Sequence, residues 1–173
     1  MSDRITHFRS AVEASQGSYV ECADWAAVVR FAATLTRDDV VVGPRLAAEL
    51  RAGAIVAEVA WCEPEVERPT SIADAEVGLT RAELGVAETG SVLLVEESLR
   101  ERVVSMLCHT LVVGVERTEV VESLDEVGAW LAAHYREAPY ATLTTGPSRT
   151  ADIERSLTIG VQGPRSLHVA VVG

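Results

Sequence analysis

The residues best suited to chemistry lie at three turns. Glu88 precedes Thr89 and Gly90, where an apolar segment gives way to a turn signal. Ligands in open α/β sheets bind outside the carboxyl ends of strands, so a carboxylate there is placed to act as a general base or nucleophile. A turn carboxylate that hydrogen-bonds the backbone is the alternative. His109 borders the apolar run 111–115 and is the second candidate for acid–base work, if it faces the Glu88 turn as expected. The third turn is Thr144-Thr145-Gly146-Pro147-Ser148-Arg149-Thr150-Ala151-Asp152-Ile153-Glu154, between a predicted strand and a predicted helix. Gly146 allows a tight exit from the strand, Ser148 or Thr150 can cap the helix, and Arg149 offers a bidentate guanidinium. The first N–H groups of such a helix can hold a carboxylate, phosphate or carbonyl oxygen. Structural capping explains the same residues, and Asp152 and Glu154 already balance the helix dipole. Gly160-Val161-Gln162-Gly163-Pro164 follows, either a helix exit and turn or a backbone wall beside the first turn.

Other chemistries are set aside by what the chain lacks. Cys22, Cys62 and Cys108 are dispersed, with no C-x-x-C pair, so no iron–sulfur cluster or structural zinc is expected in this chain alone. No disulfide framework is suggested, which fits a reducing cytosol. Neighbouring strand residues point to opposite faces, so Cys108 and His109 are not expected to pair; Cys108 reads as a small buried thiol. His7 and His134 fall on predicted helix surfaces, His168 alternates within a strand, and no histidine has metal-ligand spacing. All 15 basic residues are Arg, which excludes lysine Schiff bases and a lysine-bearing phosphate loop. The dinucleotide fingerprint G-x-G-x-x-G is also absent. A net charge of -11 argues against nucleic acid and anionic membranes as partners. The N-terminus has no apolar signal region and no apolar run approaches the ~20 residues of a membrane span, so a cytoplasmic location is expected.

The elements that must position these groups follow from periodicity. The 173 residues make one domain, long enough to bury roughly 70% of its unfolded surface. Residues 2–16 carry Ile5, Phe8 and Val12 at helical spacing, and 24–36 form a second helix with Asp24 as N-cap. Residues 40–42 read as a buried strand, and Pro44 opens a helix running to Leu50. Residues 54–59 read as a strand, 63–70 as a surface loop, and 81–84 as a short helical piece. Strands at 91–96, 111–115, 141–144 and 167–172 follow. Residues 97–104 read as loop and 150–157 as helix. Ser123-Leu124-Asp125-Glu126 fits a capping box before an apolar face of Val127, Trp130, Leu131 and Tyr135. Short apolar strands separated by helices predict an α/β sheet covered on both faces.

G-P-S-R-T-A-D-I-E and G-V-Q-G-P ahead of the last strand resemble the lactate-utilization protein C family of LUD-domain proteins. Ala87-Glu88-Thr89-Gly90, with Gly85 and Leu79-Thr80, resembles that family's A-E-T-G segment, and Leu107-Cys108-His109 a further one. The resemblance covers about residues 77–172. It implies a three-layer αβα sandwich with a mostly parallel sheet, NagB/RpiA/CoA-transferase-like, as a single LUD domain over 1–173 with 1–37 as N-terminal helices. It implies a non-redox subunit of a system oxidising L-lactate to pyruvate, with no cofactor in this chain and iron–sulfur clusters in partner subunits. The chain is not expected to be catalytic alone. The candidate catalytic residues are Glu88 and His109. The candidate ligand set is Thr89, Gly90, Gly146, Ser148, Arg149, Thr150, Asp152 and Gly163, for a small carboxylate or phosphate. Gln162 stands where many relatives carry His, which removes a group titrating near neutral pH. Cys108 stands where proline is common. The competing reading is a stand-alone enzyme or binding domain for a small phosphorylated or acyl ligand, similar to folate cyclo-ligases and isomerases. That reading rests on fold analogy alone.

Overall fold

The computed structural model describes residues 2–134, 136, 140–150, 158–159 and 163–173, with residues 2, 149, 150, 158 and 159 described by backbone alone. Along the chain run α1 (Ser2–Ala14), β1 (Ser18–Cys22), α2 (Trp25–Thr34), β2 (Val40–Val42), α3 (Pro44–Arg51), β3 (Trp61–Cys62), β4 (Val77–Arg81), β5 (Leu84–Val86) and β6 (Ser91–Val95). They are followed by α4 (Leu99–Leu107), β7 (Thr110–Glu116), β8 (Val120–Val121), α5 (Leu124–His134), β9 (Ala141–Thr144), β10 (Arg149–Thr150), β11 (Thr158–Ile159) and β12 (Ser166–Val172).

Six strands pair in parallel in the order β1-β12-β7-β4-β2-β3. A parallel sheet is stable only when both faces are covered, which is why these strands are almost wholly apolar. On one face Leu111, Val113, Leu167, Val169 and Val171 pack against Ile5, Phe8 and Val12 of α1. Val103 and Val104 of α4 cover Val41 nearby. On the other face Val112, Ala170 and Val172 meet Val28, Val29 and Ala32 of α2 and Leu46 and Ala47 of α3. The result is a three-layer αβα sandwich. A second sheet, β8-β5-β6-β9, adds its buried face to the α1 side and carries α5 on its other face through Val127, Trp130 and Leu131.

Several local expectations change. Within 1–37 a strand, β1, separates the two helices. Residues 54–59 are not a strand; Val56 is 73% exposed, and Trp61–Cys62 supplies the partner of β2 instead. Residues 81–84 are not helical, because the chain crosses between sheets there: the Ala82 N–H donates to Gly114 O and the Glu83 N–H to Leu93 O. Residues 97–104 belong largely to α4, capped by Ser98 Oγ, which accepts from the Glu101 N–H at 3.3 Å. Thr150, expected to open a helix, lies in the β10–β11 antiparallel ribbon; 151–157 lie outside the described residues. Tyr135 also lies outside them.

His168 sits on β12 with its ring edge-on to Phe31, and its buried Nδ1 has no hydrogen-bond partner among the described residues. Burial pulls its pKa below the free value of 6.5. The unfolded chain therefore takes up a proton that the folded chain refuses once the pH drops below 6.5. The contribution of neutral His168 to stability is complete above that value and is lost as pH falls through the window between it and the lowered folded pKa. The urea midpoint of the wild type should fall more between pH 7.5 and pH 5.5 than that of His168→Gln; equal falls would contradict the assignment.

Candidate functional site

The last strand returns to the middle of the sheet, and this places the turns before it at the amino-terminal edge. The Arg165 N–H donates to His109 O at 2.7 Å, and the Ser148 N–H donates to Pro164 O at 2.9 Å. The segment after β9 is thereby tied to the entry of β12. Between these turns, α4 and β9 lies a cavity of about 640 Å³ whose lining includes Glu96, Thr142, Gly146, Ser148 and Gly163.

Three of the predicted ligand residues therefore meet in one cavity: Gly146, Ser148 and Gly163. Gly146 has φ 62°, and a Cβ there would run into the Ser15 carbonyl at the end of α1. Both the left-handed backbone and the close approach require glycine. Gly163 has φ 145° and packs its Cα side against Ser148, where an added Cβ would sit 3.2 Å from the Ser148 Cβ. Thr89 joins through a chain of hydroxyls: Thr89 Oγ1 is 2.7 Å from Ser91 Oγ, which is 2.6 Å from Thr145 Oγ1. Gly90, φ 67°, holds the A-E-T-G turn against the backbone of Ala11 and Val12. Arg149 and Thr150 continue from Ser148 into β10. Asp152 and Gln162 lie outside the described residues.

Neither Glu88 nor His109 is among the described lining of this cavity, and their partners differ. Glu88 follows β5 of the smaller sheet rather than a strand of the parallel sheet, so the carboxyl-edge argument does not apply to it. It is exposed, and its Oε2 accepts from the Leu124 N–H at 3.0 Å, capping α5. His109 fixes the turn before β12 with its main chain, while its ring Nε2 lies 3.9 Å from Asp74 Oδ1. Cys108 is buried, as expected, and burial pushes its thiol up to about 12, with nearby Cys62 adding to the shift. His134 is not simply solvated: its Nδ1 lies 2.8 Å from Trp130 O, and its ring stacks on Trp130 at 4.2 Å.

Two features escaped the sequence reading. The first is Glu96, only 4% exposed, just past the end of β6. Ser105 Oγ donates to its Oε1, and Thr142 Oγ1 donates to its Oε2 at 3.3 Å. The second is a cavity of about 390 Å³ at the carboxyl edge, lined by Arg45, Arg81, Glu83, Glu116, Trp130 and His134 among others. Its guanidinium groups are already paired. Arg45 meets Glu83 at 2.5 Å, and Arg81 meets Glu49 at 3.2 Å and Glu116 at 3.4 Å while lying over the Trp25 ring. The strand-terminal positions of Arg81 and Glu116 were the available signal for this second group.

The layers, strand order and cavity define an α/β protein of the three-layer class. The sequence profile of the LUD domain family matches residues 5–172, and the chain belongs to that family. It is 31% identical over 117 residues to "Lactate utilization protein C" of Macrococcus caseolyticus, covering 65% of this chain and 51% of that protein. It is 32% identical to the protein of that name from Halalkalibacterium halodurans, covering 64% of this chain and 51% of that protein. The chain thus spans about half the length of these curated relatives. The crystal structure of a DUF162 family protein from Deinococcus radiodurans shares the fold, with a TM-score of 0.71 and 21% identity over 99% of this chain and 98% of that one. Among the described residues no helix is long and apolar enough to cross a membrane.

Gly146→Ala should lower folding stability by about 1–3 kcal/mol, from the left-handed backbone and the Ser15 carbonyl together. Gly128→Ala, on α5 with no atom within 4 Å of its added Cβ, should be neutral or stabilising. Denaturant unfolding of both variants checks the contrast.

Proposed function

We propose that this chain is a non-redox component of a lactate utilization system, with the amino-edge cavity as its ligand or partner site. The observation that carries the reading is the convergence of Gly146, Ser148 and Gly163, from the segments that resemble the lactate-utilization proteins, on one cavity wall. The relatives named "Lactate utilization protein C" support the physiological assignment. The thiols support assigning electron transfer to partner subunits with iron–sulfur clusters. Cys22, Cys62 and Cys108 are dispersed in the sequence with no C-x-x-C pair, the spacing that cluster-binding chains use. In this reading the chain positions a small ligand or a partner surface while the partners carry out the oxidation of L-lactate to pyruvate.

Deleting the gene in its native host should abolish growth on L-lactate while sparing growth on pyruvate. Complementation with the wild type should restore growth, and Arg149→Ala should fail to restore it although the protein accumulates normally. Undiminished growth of the deletion strain on L-lactate would refute the assignment.

A further inference from the structure

We propose that Glu96 makes the amino-edge cavity a binding site for a primary ammonium group. The inference rests on the reading of this cavity as the functional site, and it adds the chemical class of the ligand. Glu96 is 96% buried by its 4% exposure, yet no cation pairs with it among the described residues. Its described partners are neutral: the hydroxyls of Ser105 and Thr142. Arg102, on the same helix as Ser105, lays its guanidinium over the Tyr140 ring, 4.8 Å from the centroid, instead of against the carboxylate. A buried carboxylate without a counter-ion is costly, and proteins normally pair such a charge or use it.

The geometry favours a cation supplied from outside. An ionised carboxylate has about four acceptor sites, of which the two hydroxyls occupy two. Glu96 is the one charged side chain among the described lining residues. Thr142, Thr144, Thr145 and Ser148 add hydroxyls to the same lining, and Met106, Tyr140 and Leu143 form an apolar wall, each more than 40% exposed. An ammonium group carries three donors and no acceptor, so carboxylate and hydroxyl oxygens together satisfy it. An anionic ligand would meet like charge in a partly desolvated site, where repulsion is strongest. The chain's net charge of -11 also draws cations to its surface.

Three ligands that share a phenol ring and differ in the charge at the tail test the proposal: tyramine, 4-ethylphenol and 3-(4-hydroxyphenyl)propanoate. Titration calorimetry of each against the full chain at pH 7.5 should show tyramine binding at least ~10-fold tighter than 4-ethylphenol, with the propanoate weakest. Glu96→Gln, which keeps an acceptor for the hydroxyls, should erase the preference for tyramine. If that variant does not fold by circular dichroism, the three wild-type affinities decide alone. Propanoate binding as tightly as tyramine, no saturable binding of tyramine, or a preference that survives in folded Glu96→Gln would each overturn it. A deletion strain that grows normally on L-lactate would remove the physiological reading and leave these affinities intact, so the two failures are distinguishable.

Discussion

The structure depends on the insertion of the last strand between the first and the seventh. β12 pairs on one side with β1 and on the other with β7, residue for residue over nearly its whole length. Its alternate side chains supply both apolar cores. A strand parallel to β1 and β7 must begin at their amino edge, so the residues before β12 meet the turn after β9 there. The backbone bonds from Arg165 to His109 and from Ser148 to Pro164 are the consequence. They fix the walls of the cavity that the family segments line.

The two edges of the parallel sheet are electrostatically unlike. At the carboxyl edge, where α/β proteins usually hold ligands, Arg45 and Arg81 are each engaged by carboxylates, and Trp25 Nε1 donates to Glu116 as well. These pairs join α2, α3, β4 and β7 and set a carboxylate against each guanidinium group. At the amino edge the described lining of the cavity offers hydroxyls, glycine backbone, apolar side chains and one carboxylate, Glu96. Among the described residues, no cation pairs with Glu96 in the larger cavity.

Much of the fold was legible because its signals are local. Ile5, Phe8 and Val12 recur at helical spacing and are all buried, Asp24 accepts from the Ala27 N–H as an N-cap, and Pro44 opens α3. The valine run of β2 and the apolar alternation of β12 read directly as buried strands. Helix α4 was missed because of its charges, although Ser98 and Glu101 have capping spacing; Glu101 is buried, and accepts from the backbone of Glu97 and Arg45. The run 54–59 misled because apolarity without a pairing partner does not make a strand. Gly146 and Gly163 stand out in the sequence as turn residues, and both adopt positive-φ backbone that favours glycine. Glu96 does not stand out, since in Val95-Glu96-Glu97 a carboxylate reads as solvated; its partners are Ser105 of α4, nine residues on, and Thr142 of β9, 46 residues on. Glu88 likewise takes its partner from afar: Leu124 is 36 residues away.

Co-purification tests most directly the proposal that this LUD domain works beside iron–sulfur partners rather than alone. The tagged chain should be recovered from its native host grown on L-lactate, with bound proteins identified by mass spectrometry and iron measured in the same fraction. The account predicts co-purifying proteins with clustered cysteines, together with iron absent from the chain purified alone. Recovery of the chain without such proteins, together with turnover of L-lactate by the isolated chain, would contradict it.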